Sequence, residues 1–488
     1  MTQPADPRPN IVLFMTDEQR GDCLGIDGHP VLQTPYIDEL AATGVRFRRA
    51  YSACPVCVPA RRTLMTGRKP ASHGVLMNAV GWLDGPTLPG ELSRAGYQTH
   101  LVGKLHLFPR RRRYGFDSAV WADSPAGEPV SDDYQLFLAR EGVRSWNAGV
   151  AHGAHQNGWV ARPWHLSEDL HFTNWCADQA LDFLHRRDPT VPFFLKVSFH
   201  SPHQPCTPPR PYWDRYMAMD LPEPVVGDWA RVYDGPERGL SVTSWRTALT
   251  PELMRQYRAG YYGAINHIDD QIGRVLPALP LNTVVVFVSD HGEMLGDHQW
   301  IRKRNAFEGS ARIPFVLRPP PGPRWRGGQV RDELVELMDL MPTLLDIAGV
   351  DTPDTVEGTS LLRSIMGEPA SPRAFLHGEC AIVPTLDSGM QYLTDGRRKY
   401  VWYPGTGAEH YFDLENDPRE MRDLSASPAH RPDIEDWRAR LAEELDGRPE
   451  GFVADGRLRV TGGPAAPVMD WVRPVDEAFG RVELTPTV

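Results

Sequence analysis

Asn10-Ile11-Val12-Leu13-Phe14-Met15 is an unbroken apolar run that ends in Thr16-Asp17-Glu18, and its reading decides the fold. An alternating run would mark a strand with one wet face. An unbroken one suits a strand buried on both faces, as in a parallel sheet. Three further runs have the same shape. Thr283–Ser289 (TVVVFVS) ends at Asp290 and His291, Phe193–Phe199 (FFLKVSF) ends near His200 and His203, and Tyr97–Val102 is followed by Lys104 and His106. Each run delivers ionisable residues at its carboxyl end, the edge where open α/β sheets bind ligands.

Helical patterns lie between these runs. Pro35 to Thr43 follows Thr34, a candidate N-cap with proline in the first turn. Phe172, Cys176, Ala180, Phe183 and Leu184 have helical spacing, as do Leu253, Tyr257, Tyr261, Ala264, Ile265, Ile268 and Ile272. Leu340 to Ala348 reads as a shorter helix before Gly349. Strands alternating with helices predict an α/β fold over residues 1–370, a mixed, largely parallel sheet flanked by helices. Residues 121–168 are rich in Gly, Trp, His, Ser and Asp and read as a long functional loop. Trp121, His152, His155, Trp159 and Trp164 there could line a substrate pocket or pack into the core. Met390–Tyr403 and His410–Leu414 read as short strands and Asp433–Leu445 as an amphipathic helix, so residues 371–488 are predicted to form a small α+β C-terminal domain and tail.

Composition sets limits on function. A chain of 488 residues, 41% apolar, can bury a sizeable core. Its formal net charge of -11 argues against nucleic acid as a partner, and Arg110–Arg113 reads as a solvated loop. Local field rather than net charge governs anion binding, so a small anionic substrate stays allowed. Met1–Asn10 lacks an apolar segment, and no stretch approaches the roughly 18 apolar residues of a membrane span; a soluble, cytoplasmic protein without a membrane partner is expected. Six cysteines in a chain this long make no disulfide framework. A homo-oligomer is compatible with these numbers.

Asp17, Glu18, Asp290 and His291 would meet at one sheet edge. Three carboxylates there repel one another unless a cation sits between them, so the quartet reads either as a divalent metal site or as separate caps and strand ends in solvent. Oxygen ligands suit calcium or magnesium, and the histidine shifts the balance toward manganese. Cys54-Pro55-Val56-Cys57 is a C-x-x-C pair, open to zinc or redox readings. Zinc lacks a second pair of ligands, and redox chemistry would require both thiols.

Cys57-x-Pro59-Ala60-Arg61, continued by Thr63-Leu64-Met65-Thr66-Gly67-Arg68, resembles the signature of type I sulfatases, whose cysteine a separate formylglycine-generating enzyme oxidises. Further motifs follow in that family's order: Gly103-Lys104-Leu105-His106, His200-Ser201-Pro202-His203, Ser289-Asp290-His291-Gly292-Glu293, Lys303 ahead of Phe307-Glu308-Gly309, and Tyr411-Phe412-Asp413-Leu414-Glu415-Asn416-Asp417-Pro418. The resemblance implies an alkaline-phosphatase-like α/β domain, a small four-stranded C-terminal domain, and cleavage of a sulfate monoester to alcohol and sulfate. It implies formylglycine derived from Cys57 as nucleophile. It also implies a divalent metal, calcium before manganese, held by Asp17, Glu18, Asp290, His291 and residue 57. The family more often carries Asp where Glu18 stands. By the same resemblance Arg61 holds the nucleophile, Lys104 and Lys303 stabilise sulfuryl charge, His203 protonates the leaving oxygen and His106 takes the proton that releases sulfate. Phosphonate monoester and phosphodiester hydrolases look similar and use the same modified cysteine; they are the alternative function, and Asn78 matches the position of their substrate amide.

Overall fold

The computed structural model describes residues 8–81, 83–123, 132–143, 148, 152–233, 241–246, 248–322, 325–370, 373–381, 389–461 and 473–474. The main sheet has strands β1 (Asn10–Asp17), β2 (Val45–Tyr51), β3 (Gln98–Gly103), β4 (Ser118–Trp121), β5 (Phe193–Pro202), β6 (Thr283–Ser289), β7 (Phe315–Arg318) and β8 (Gln329–Glu336). Their spatial order is β4-β3-β5-β1-β6-β7-β2-β8. Every neighbouring pair is parallel except the two made by β7, which runs against the rest.

β1 sits in the middle, with Leu13 opposite Lys196 on one side and Val286 on the other. Successive side chains of a strand point to opposite faces. Ile11, Leu13 and Met15 therefore join a core that includes Leu64 of the Cys57–Thr66 helix and Leu344 of the Leu340–Ala348 helix. Val12 and Phe14 join another, with Trp175 and Ala180 of the Phe172–Arg186 helix and Ile268 and Ile272 of the Pro251–Val275 helix. With both faces covered, no residue from Ile11 to Met15 keeps exposed surface, which stabilises the fold by roughly 1.5–3 kcal/mol for each large side chain. Because β3, β5, β1 and β6 are consecutive and parallel, Lys104, His203, Asp17 with Glu18, and Asp290 with His291 leave the sheet at one edge.

The Pro35–Thr43 and Leu340–Ala348 helices form as predicted, the latter closed by Gly349 at φ 68°. Thr34 takes the N-cap position without capping. Its hydroxyl donates to Asp38 Oδ1 at 2.8 Å and accepts the Gly25 N–H at 2.8 Å. The reading of 121–168 as one loop was too broad. Trp121 is buried at the end of β4, and Asp132 caps a helix over Asp133–Arg140; part of the stretch lies outside the described residues. His152 stacks on His165 at 4.3 Å, and Trp164 packs edge-on to His171 at 5.0 Å. Trp159 packs half-buried against a core that includes Tyr257 and Tyr261. Trp121, His152, Trp159 and Trp164 thus pack on other rings or on the core, whereas His155 is exposed, its Nδ1 accepting the Asn157 N–H at 3.1 Å.

A second, antiparallel sheet follows: β9 (Leu376–Cys380), β10 (Met390–Thr394), β11 (Arg398–Trp402) and β12 (Glu409–Asp413). The predicted Met390–Tyr403 strand is two strands joined through Asp395-Gly396, with Gly396 at φ 78°, the left-handed geometry a tight hairpin needs. Leu393, Tyr400, Trp402 and Tyr411 pack on Ile434, Leu441 and Leu445 of the Arg431–Leu445 helix. Arg473–Pro474 pairs with Ala79–Val80. Among the described residues no helix is long and apolar enough to cross a membrane.

Candidate active site

Val56 is extended, at φ -144° and ψ 139°, and Cys57 begins a helix whose ten residues are all buried. Unpaired N–H groups at such a start favour an anion. Asn78 Oδ1 accepts one of them, from Val58, at 3.1 Å, so Asn78 works as a helix cap beside the nucleophile position. Cys57 Sγ lies 3.2 Å from His291 Nε2 and 3.6 Å from Asp17 Oδ1. Burial, helped by the Asp17 charge, pushes the Cys57 thiol up to about 11, so an unmodified cysteine is a protonated and weak nucleophile here.

The ligand atoms of Asp17, Cys57, Asp290 and His291 all lie within 4.8 Å of one another. His291 Nδ1 is 3.0 Å from the Gly292 carbonyl, which can only accept. The ring proton therefore sits on Nδ1, and the Nε2 lone pair faces the acids and Cys57. Asp290 Oδ1 accepts the backbone N–H groups of Glu18 and His291. Glu18 belongs to an adjoining cluster with Asp17 and His203. Its Oε2 accepts from Lys303 Nζ at 2.9 Å and lies 3.2 Å from His203 Nε2, while Oε1 is buried with no hydrogen-bond partner among the described residues. The backbone at Glu18 is left-handed, at φ 71°, held by Asp290 and by Tyr261, whose hydroxyl donates to the Glu18 carbonyl. Burial holds the Glu18 carboxyl well above its usual range; Lys303 offsets part of this and Glu293 adds to it. Burial would raise Asp17 as well, but Lys104, His203, Arg61 and Lys303 together hold it well below.

Arg61, one helical turn after Cys57, is fully buried and spans the acids. Nε donates to Asp290 Oδ2 at 2.8 Å, Nη2 to Asp17 Oδ2 at 3.0 Å, and Nη1 to Lys104 O at 2.8 Å and Ser198 Oγ at 2.9 Å. Lys104 Nζ pairs with Asp17. Gly103 is at φ 91°, and a Cβ there would stand 2.2 Å from the Ser198 carbonyl, so only glycine fits where β3 hands over to Lys104. Lys303 is flanked by Arg302 and Arg304 at φ 68° and 77°. Non-glycine residues in that region cost of order 1–3 kcal/mol each and cluster at functional sites.

His203 Nδ1 donates to Gln204 O at 2.8 Å, which leaves Nε2 facing Glu18. His106 is left-handed, at φ 54°, pinned by its N–H to Asp123 Oδ1 at 2.7 Å, and its ring Nδ1 is buried without a partner among the described residues. Burial lowers both imidazoles well below their ordinary value, assisted by Lys303 at His203 and Lys104 at His106.

Ser198, Gln204 and Asp123 were not singled out from sequence, and Glu293 was named there only as the last residue of the Ser289–Glu293 motif. Glu293 accepts from Gln204 Nε2 at 2.9 Å, Ser198 accepts from Arg61, and Asp123 orders Leu105 and His106. Asp123 had a signal, since it too follows the carboxyl end of a strand; Ser198, Gln204 and Glu293 are fixed only by tertiary contacts. Cys54 does not pair with Cys57. Its sulfur contacts that of Cys380 at 3.8 Å, which removes the C-x-x-C redox reading.

Acids, imidazole and the Cys57 side chain gathered at the carboxyl edge of a parallel sheet fit the class of α/β hydrolases that work beside a divalent cation. The Sulfatase family profile matches residues 9–350, and that for the N-sulphoglucosamine sulphohydrolase C-terminal region matches 296–447. An arylsulfatase of Clostridium perfringens is 40% identical over 481 residues, covering 94% of this chain and 98% of that protein. A choline-sulfatase of Rhizobium meliloti is 30% identical, covering 86% and 83%. The crystal structure of a phosphonate monoester hydrolase of Agrobacterium radiobacter superposes with a TM-score of 0.75 at 27% identity, covering 90% of this chain and 95% of that one. The chain belongs to the sulfatase family and is a sulfuric ester hydrolase.

Proposed function

We propose that the enzyme cleaves a small anionic sulfate monoester through a formylglycine made from Cys57 by a formylglycine-generating enzyme, beside one divalent cation. The observation that carries this reading is the setting of Cys57. It opens a helix within 3.2 Å of His291 Nε2 and 3.6 Å of Asp17, where burial suppresses a thiolate. The location, at a helix start among buried carboxylates and an imidazole, suits an oxygen nucleophile next to a cation.

The donor set fits such a cation. Buried carboxylates converge with the His291 Nε2 that faces them, and Glu18 Oε1 is buried with no donor among the described residues. Asp17, Asp290, His291 and residue 57 would hold the ion, with Glu18 completing the set. Mostly oxygen ligands favour calcium, with manganese next because of the imidazole. A bound cation lowers the cost of generating an oxygen nucleophile and offsets sulfuryl charge.

The chain's own groups do the rest. Arg61 locks Asp17 and Asp290 in place and supports the helix start. Lys104 and Lys303 sit where negative charge accumulates on the transferring group, stabilisation that needs no reorganisation during reaction. His203 would deliver a proton from Nε2 to the departing alcohol oxygen in its doubly protonated form, which the Asp17 charge and the adjacent Glu18 carboxylate favour against burial and Lys303. His106, kept neutral by burial, accepts the proton that must leave residue 57 for sulfate release. The likeness to a phosphonate monoester hydrolase supports a second reading, because a phosphonate monoester and a sulfate monoester each present one negative charge to the same cations.

Peptide mass spectrometry tests the nucleophile, with residue 57 expected about 18 Da lighter than cysteine and activity rising with the modified fraction. A panel of aryl sulfate, aryl phosphonate and phosphodiester is expected to give the highest kcat/KM on the sulfate. Full turnover in protein carrying unmodified Cys57 would overturn the formylglycine reading, and a higher kcat/KM on phosphonate would favour the second reading.

A further inference from the structure

Cys54 and Cys380 are 326 positions apart in sequence, yet their sulfurs lie 3.8 Å apart, both buried. Cys54 stands in the loop that leads from β2 into the Cys57 helix. Cys380 ends β9 of the second sheet. The backbones around them are already fastened, Glu379 N–H donating to Ala53 O at 2.7 Å and Ala381 N–H to Leu76 O at 3.1 Å. The two chains therefore have no distance left to close, and side-chain rotation and small shifts separate the observed contact from a bond of about 2.0 Å.

The neighbourhood favours chemistry at this pair over the other cysteines. Arg304, whose N–H donates to Pro55 O at 3.2 Å, lies within electrostatic reach of both sulfurs. Burial, the contact with Cys380 and the Glu379 charge raise the Cys54 thiol well above its ordinary value, and Arg304 offsets part of this, so it is the proximity of the two sulfurs that singles out the pair. Cys54 Sγ also donates to Leu76 O at 3.6 Å, as Cys206 Sγ does to Pro202 O and Cys23 Sγ to Asp22, while Cys57 contacts His291 and Asp17; what sets Cys54 apart is its contact with a second sulfur. A link between Cys54 and Cys380 would leave the nucleophile position untouched.

We propose that Cys54 and Cys380 form an oxidation site, at which a peroxide joins the two thiols into a disulfide that staples the second sheet to the loop carrying the nucleophile. One thiolate attacks the peroxide, the O–O bond breaks, and a sulfenic acid and hydroxide result. The second thiol displaces hydroxide from that sulfur, the S–S bond forms, and water leaves. Two thiols and one hydrogen peroxide give one disulfide and two waters, with two electrons passing from sulfur to oxygen. A small oxidant suits the buried setting, where a bulky disulfide reagent would not enter.

The full-length enzyme would be treated with hydrogen peroxide or with dithiothreitol, alkylated, and digested without reduction. The expected product is a peptide pair joined through Cys54 and Cys380, about 2 Da below the sum of its reduced parts. The loop closed is long, so the thermal midpoint should rise by roughly 5 °C over the reduced enzyme. Cys380→Ala should abolish both the link and the rise, and Cys54→Ala serves as the matching control if Cys380→Ala folds poorly. Both thiols remaining open to alkylation after peroxide, a link from Cys54 to Cys57, or an equal rise in midpoint in the single-thiol variants would each overturn the proposal. A link without any rise would overturn the stapling role.

Discussion

Two buried charge clusters lie at either end of the short segment Lys303–Glu308, and they are finished differently. At one end Lys399, fully buried on β11, donates to Ala306 O at 2.7 Å, Glu308 Oε1 at 2.8 Å and Glu420 Oε1 at 2.8 Å. An ammonium has three N–H groups, and here each has an acceptor. The Glu308 N–H then closes onto Glu420 Oε2. At the other end Lys303 serves Glu18, yet Glu18 Oε1 and the His106 ring Nδ1 are buried with no partner among the described residues. Buried polar atoms are ordinarily satisfied. The saturated cluster is a fastening between the two sheets, and under the proposed function the unsaturated one keeps valences for what the enzyme binds.

The largest expected effects come from breaking one cluster at a time. Arg61→Met and Lys399→Met each strand buried carboxylates, so each should cost roughly 3–5 kcal/mol in denaturant unfolding. Only Arg61→Met should also cut turnover per folded molecule, by about 10²–10³-fold or more. An equal loss of turnover in Lys399→Met, measured on the folded fraction, would erase the contrast. Next in size, His203→Ala should slow alkyl sulfates by about 10²–10⁴-fold, while nitrophenyl sulfate, whose leaving group needs little protonation, loses far less. His106→Ala should instead show a burst of the first alcohol and then slow turnover. Equal losses on good and poor leaving groups, with no burst, would mean the two histidines are wrongly assigned. The smallest effect is reserved for Asn78. As a cap, Asn78→Ala should cost about 1 kcal/mol and leave KM unchanged. A tenfold or larger rise in KM, read against that scale, would restore Asn78 as a substrate contact.

Much of this contrast was readable before any coordinates. Continuous apolar strands advertise burial on both faces, and the ionisable residues that follow each mark the working edge, which is why Asp17, Lys104, His203 and Asp290 could be grouped from sequence. The reversal of β7 was not readable, because a strand of four residues buried on both faces looks the same in either direction. β4 was not read from sequence, and its last residue, Trp121, was taken as the start of a stretch that composition suggested was irregular. Glu18 was placed among the metal ligands, and the structure shows its carboxylate also committed to Lys303 and His203. Lys399 gave no sign at all. Its two carboxylate partners stand 91 and 21 residues away, and no spacing rule joins them.

Gly103 carries a consequence for how the enzyme tolerates change. It touches neither the nucleophile position nor the proposed cation, yet a side chain there would push into the Ser198 carbonyl and shift Lys104 and Ser198, two of the groups that seat Arg61. In a random-substitution library selected for sulfatase activity, this position should look as intolerant as Cys57 itself. Loss at Cys57 would spare the fold and abolish the chemistry, whereas loss at Gly103 would arise from misaligned strands. A census of essential positions would therefore mistake a spacing requirement between two backbones for a chemical role.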